Sequence, residues 1–165
     1  MRYSPFTNYA FLLLALIVTG CSGQDWRAEL LPLSGKLLIN GQPHEGIYVI
    51  LVSTGGHVDI RESRPWGVTD HEGNYQLTTY ERGDGGPHGD FSVTVRWPVV
   101  RHRVDSEDRL FEKFSSPQNS VMTFTIDKNT KALPPIELKG VKFLKQDSFP
   151  KDVQFRPGSS PNVKK

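Results

Sequence analysis

Cysteine is almost missing from this chain of 165 residues; the single one is Cys21. No disulfide can form within one chain, so the fold must be held by core packing alone. Long apolar runs are missing as well. The run from Ala10 to Val18 falls short of the roughly 20 residues that a bilayer core requires. Sustained helical periodicity is lacking, no segment repeats, and neither sign of charge dominates. There are 20 Lys and Arg against 18 Asp and Glu, a net charge of +2. Nucleic-acid binding usually demands a concentrated basic face, so no nucleic-acid partner is expected.

What the chain does contain is turn-forming residues, 15 Gly and 12 Pro, set between short apolar segments. Its length suits one domain. An all-β fold is the reading that fits both.

The N-terminus reads as an address. Arg2 gives a weakly positive start, the apolar run follows, and Val18-Thr19-Gly20-Cys21 closes it. These features in this order suit a secretory signal peptide. The last four residues resemble the lipobox of bacterial lipoproteins. Small residues let the backbone enter a peptidase site, and the thiol accepts diacylglycerol. The resemblance implies cleavage between Gly20 and Cys21, a thioether lipid on Cys21 and palmitate-type acylation of the new N-terminus. Two or more acyl chains give stable anchoring. Ser22 rather than Asp follows the cysteine, which by the same resemblance favours the outer over the inner membrane of the cell envelope. Loss of Arg2 would lower the net charge to about +1. Expected boundaries are a signal peptide at 1–20, a lipidated tether at 21–32, a β-sandwich at 33–139 and a disordered tail at 140–165. Trp26 either touches the domain or sits in the lipid interface. Val141, Phe143 and Leu144 are the tail residues that would touch the domain.

The strands are read from periodicity. Leu33–Asn40 places Leu37 and Ile39 on one face and ends in the Asn40-Gly41 turn. Ile47–Val52 is apolar on both faces, as in a central, doubly covered strand. Trp66–Thr69 and Tyr75–Tyr80 flank the Asp70–Gly73 turn. Phe91–Trp97 alternates Phe91, Val93, Val95 and Trp97 with Ser92, Thr94 and Arg96, which predicts one buried and one wet face. Val121–Ile126 alternates again. Leu133–Leu138 enters through Pro134 and Pro135 as an edge strand. Seven or so such strands suggest a β-sandwich.

Two stretches resemble carboxypeptidase regulatory-like, transthyretin-like domains. Gly35, Gly41, Pro43 and Gly46 match the opening of such domains, and Thr69, Asp70, Gly73, Tyr75 and Leu77 match a Thr-Asp-x-x-Gly-x-Tyr-x-Leu hallmark. The match covers about 33–97. The stretch from Thr78 to Trp97 is similar to that of small secreted lipoproteins of planctomycete-type bacteria. The resemblance implies a seven-stranded, Greek-key-like sandwich of a kind usually used as an accessory or adhesive module, and it does not imply catalysis. Fold analogy alone supplies no function.

Candidate sites are few. In the loop 81–90, Glu81, Asp84 and Asp90 offer carboxylate oxygens for an ion and His88 lies beside them. The spacing is not that of a known calcium loop, and a solvated turn is the simpler reading. Arg82-Gly83-Asp84 is an adhesion tripeptide that arises often by chance. His44, His57, His71, His88 and His102 lack zinc-site spacing, although His88 and His102 flank one strand. Ser, His and Asp are present without a nucleophile elbow, so no catalytic residues, metal or cofactor are assigned. The connection 99–114 is long for a loop; Ser106–Phe114 is either a short helix or a loop packed over the sandwich end. The expected function is a non-catalytic, lipid-anchored envelope protein recognising a protein or polysaccharide. The alternatives are a metal-assisted hydrolase using histidines and the 81–90 loop, and a purely structural scaffold.

Overall fold

The computed structural model describes residues 26–101, 103 and 105–145. The expected signal peptide, Cys21, His102 and the tail from 146 onward lie outside the described residues.

Alternation of apolar and polar side chains writes the main strands. β1 is Leu30–Leu31, β2 Ser34–Ile39, β3 Gln42–Pro43, β4 Tyr48–Ser53 and β5 Trp66–Val68. β6 is Asn74–Gln76, β7 Gly86–Pro87, β8 Gly89–Arg96, β9 Met122–Ile126 and β10 Ile136–Leu138. One short 3-10 turn, Pro117–Asn119, is the only helical element among the described residues. The chain is therefore all-β, but with ten short strands where seven were expected. The extra ones are two-residue pairs, β1 with β7 and β3 beside β2.

One four-stranded sheet has the order β5-β4-β8-β9, antiparallel throughout. The other is built on β2, which pairs antiparallel with β3 and β6 and parallel with β10. Each sheet contributes its apolar face to one core. Leu37, Ile39, Tyr75, Leu77, Ile136 and Leu138 come from the β2 sheet and the segment just after β6. Val49, Leu51, Phe91, Val93, Val95 and Ile126 come from the β4–β8 sheet. This is a β-sandwich in the plain sense: two sheets, one shared interior.

β10 lies at an edge, as its prolines require. β4 is central in its sheet, but the face bearing Tyr48, Ile50 and Val52 is only half-buried, so the double cover expected there is incomplete. β8 corrects the expectation of one wet face. Ser92 and Thr94 are each 3% exposed. Their hydroxyls fold back onto the neighbouring strand, donating to Val52 O and Ile50 O, both at 3.3 Å. A small hydroxyl satisfied by its own sheet tolerates burial. β6 stops at Gln76 rather than Tyr80 because the backbone beyond it turns to serve Asp84.

No helix forms over 106–114. Asp108, 1% exposed, accepts from Trp97 N (2.8 Å), Leu110 N (3.1 Å) and Glu112 N (3.1 Å). Those bonds wrap the segment around one carboxylate, and Phe111 and Glu112 take positive φ, which ends any right-handed helix. Leu110 is buried beneath the turn, while Phe111 points out, 58% exposed.

At the C-terminal end, Val141 joins the core and Phe143 packs on Trp97, ring centroids 5.2 Å apart. Asn40 clamps Val141 through its side chain, accepting from Val141 N and donating to Val141 O. Leu144 N donates to Arg109 O. The contacts expected of these three tail residues are present.

Candidate functional site

The 81–90 loop spends its charged groups on its own architecture. Asp84 accepts from three backbone N–H groups, Thr79, Tyr80 and Glu81, at 2.7 to 2.9 Å. Burial would raise its pKa, but those donors outweigh it and hold the carboxyl below its ordinary range. Glu81 pairs with Arg27 at 2.8 Å. Asp90 accepts from the Thr125 hydroxyl on β9. His88 and Asp90 border a shallow pocket together with His57. Among the described residues no three His, Cys, Asp or Glu side chains gather as metal ligands do. The Arg82-Gly83-Asp84 tripeptide is the tip of this capped turn.

His44 lies against Trp97 and Phe143, at 4.7 and 5.3 Å between ring centroids. Burial, helped by the nearby Arg109 charge, pushes its pKa down. The hallmark Thr69 is a structural hub. Its hydroxyl donates to His44 O at 2.7 Å and accepts from Ile47 N at 2.9 Å. Asp70 caps its turn, accepting from Glu72 N and Asn74 N.

A different surface stands out, one that periodicity alone did not single out. β5 and β6 are consecutive in the chain yet pair outward, β5 with β4 and β6 with β2. Their segments are bonded to each other at Trp66–Thr78 and again where Asp70 N donates to Asn74 O. Along this junction lies a groove of about 830 Å³, bordered by Trp66, Asp70, Asn74, Gln76, Thr78 and Arg82 among others. Gly67 lets the two segments pack against each other: an added Cβ would lie 2.7 Å from Gln76 O and 2.9 Å from the Tyr75 ring.

Trp66, 40% exposed, forms the rim of the groove. It stacks on Tyr48, with centroids 6.0 Å apart and planes 23° from parallel. On its other side Tyr48, Ile50 and Arg64 make a small apolar patch. The arrangement offers an aromatic ledge beside amide, carboxylate, hydroxyl and guanidinium groups. Such a surface can take a ligand that has both apolar faces and hydroxyls. The sequence signal for it was weak: an aromatic at the start of a strand, Trp66, followed by glycine.

Trp26 touches the domain. Its ring meets Tyr80 edge-on at 5.3 Å, and the Arg61 guanidinium lies 3.7 Å from its centroid. Tyr80 Oη accepts from Ala28 N and donates to Asp59 Oδ2, both at 2.8 Å.

Comparison with family models, with curated proteins and with solved structures finds no match.

Proposed function

We propose that this chain is an exported, lipid-anchored protein of the bacterial cell envelope. Its β-sandwich is a non-catalytic binding or structural module that recognises a glycan or a protein. The observation that carries this reading is the order of the N-terminus: Arg2, an apolar run to Val18, then Thr19-Gly20 and the sole cysteine. The cysteine has no partner thiol within the chain, and lipidation explains why it stands where it does. Ser22 favours the outer membrane. The two matched stretches around Gly35–Gly46 and Thr69–Leu77 support kinship with transthyretin-like modules that act beside other proteins. Recognition is supported by the Trp66–Tyr48 ledge and its polar groove, which favour a polysaccharide over a flat protein partner.

Intact mass of protein extracted from membranes tests the anchor. The expected mass is that of residues 21–165 plus acyl chains, absent in Cys21→Ala. A full-length, unmodified chain in the cytoplasm would overturn the reading. Recognition is tested by co-sedimentation with envelope polysaccharide: Trp66→Ala should weaken it about tenfold or more, as loss of a central aromatic contact does. Equal retention of wild type and variant removes the groove from the proposal.

A further inference from the structure

We infer that the 57–64 loop of the sandwich rests on the bilayer that holds the anchor, with Ile60 entering the lipid interface. This inference depends on lipidation of Cys21 as proposed above. Three observations carry it.

The first is reach. Four residues separate Cys21 from Trp26. Fully extended, that stretch spans about 18 Å at most. β8 alone, eight residues long, measures about 26 Å. The tether is shorter than the sandwich is tall, so the end of the domain nearest Trp26 must be the end nearest the membrane.

The second is where Trp26 is fixed. It is held between Arg61 and Tyr80, and Tyr80 bonds Asp59. Arg27 pairs with Glu81, and Leu30–Leu31 continues as a strand against Gly86–Pro87. The tether is thus docked directly against the loop that carries Ile60.

The third is Ile60 itself, between two of the docking residues. It is 85% exposed, the most exposed large apolar side chain among the described residues. A lone exposed apolar residue is ordinary on a protein surface; one at the tip of the loop that grips the lipid tether has a hydrocarbon surface within reach. Within the loop the charges balance, Arg61 and Arg64 against Asp59 and Glu62, and Arg27 beside it is already paired with Glu81. The contact is therefore apolar in character and insensitive to salt, unlike the binding of a polybasic patch.

Lipidation occupies the only native thiol, which permits a clean test. Ile60→Cys and Phe111→Cys are each prepared as the processed, lipidated protein, labelled with a polarity-sensitive fluorophore and reconstituted into phosphatidylethanolamine/phosphatidylglycerol vesicles. Phe111 is the control. It is exposed and apolar too, but its loop follows the C-terminal end of β8, whereas the 57–64 loop leaves the opposite end, where Thr54 N donates to Asp90 O. The expected result is a blue-shifted label at position 60, quenched by nitroxide lipids and unchanged by high salt, with the label at 111 unquenched. Trp26→Ala should lose the quenching at 60 while the protein stays in the vesicle fraction. Lipidated protein with both labels equally exposed to water overturns the inference and leaves the anchor standing. Protein without the acyl mass overturns both.

Discussion

At the scale of single residues, this molecule relies on carboxylates that gather backbone N–H groups. Asp84 and Asp108 each accept three such donors. Asp70 accepts two. Asp108 is the most buried, at 1% exposed. Replacing it with alanine strands the Trp97 and Leu110 N–H groups away from water. An unsatisfied buried donor costs about 1–3 kcal/mol. Asp108→Ala should therefore lose roughly 2–4 kcal/mol of stability, read as a lower urea midpoint. An unchanged midpoint would mean that the 105–115 turn contributes nothing to the fold. Asp108 was not legible in the sequence, where it was one of several mixed charges in a connection. Nothing local distinguishes a carboxylate that will be buried by its own loop from one that stays in water.

At the scale of elements, periodicity located strands far better than loops. Phe91, Val93, Val95 and Trp97 are all buried, as their spacing requires. Ser92 and Thr94 alternate like a wet face yet are buried, because hydroxyls bonded to the neighbouring strand carry no signal that period two can report. The pairing of β1 with β7 was invisible, since two residues have no period and Gly86–Pro87 looked like part of a turn. Geometry there is unforgiving. Gly85 has φ +107°, and an added Cβ would lie 1.9 Å from Leu31 O. Gly85→Ala should push β1 off β7 and free the tether, at a cost of about 1–3 kcal/mol from overpacking and backbone strain. Hydrogen exchange checks it: amides from Ala28 to Leu31 should lose protection while those of β4 and β8 keep theirs. Unchanged protection at Leu31 would show that the chain relaxes around the methyl group. The groove between β5 and β6 was equally hidden, because it arises from two neighbouring segments pairing outward, a fact of topology rather than of sequence pattern.

At the scale of the whole molecule, a sandwich without a disulfide must draw its stability from packing and from these capped turns, and the turns depend on pH. Bonds from Ser63, Tyr80 and Arg61 overcome the effect of burial and hold Asp59 down to about 2, against an ordinary 3.8. Donors to Asp84 shift it the same way. A carboxyl with a depressed folded-state pKa stabilises the fold above its unfolded value and loses that contribution as pH falls through its folded value. The carboxylate share of stability should therefore decline below 3.8, toward about 2 for Asp59. His44 acts in a different window. Burial depresses its folded-state pKa below 6.5. Above that value both states are neutral and it contributes nothing. Below it the unfolded chain gains a proton that the folded molecule resists, so stability falls with pH. Unfolding midpoints followed from about pH 7.5 down to about pH 3 should therefore show two declines. His44→Gln should abolish the first and leave the second. Asp84→Asn should lower the midpoint near neutrality and make the second decline smaller, leaving the share that Asp59 contributes, because only its own carboxylate is no longer there to be protonated. A wild-type profile that is level until the carboxylate window would show that His44 accepts its proton without cost beside Trp97 and Phe143. The aromatic contact at the end of β8 would then be no barrier to a charge.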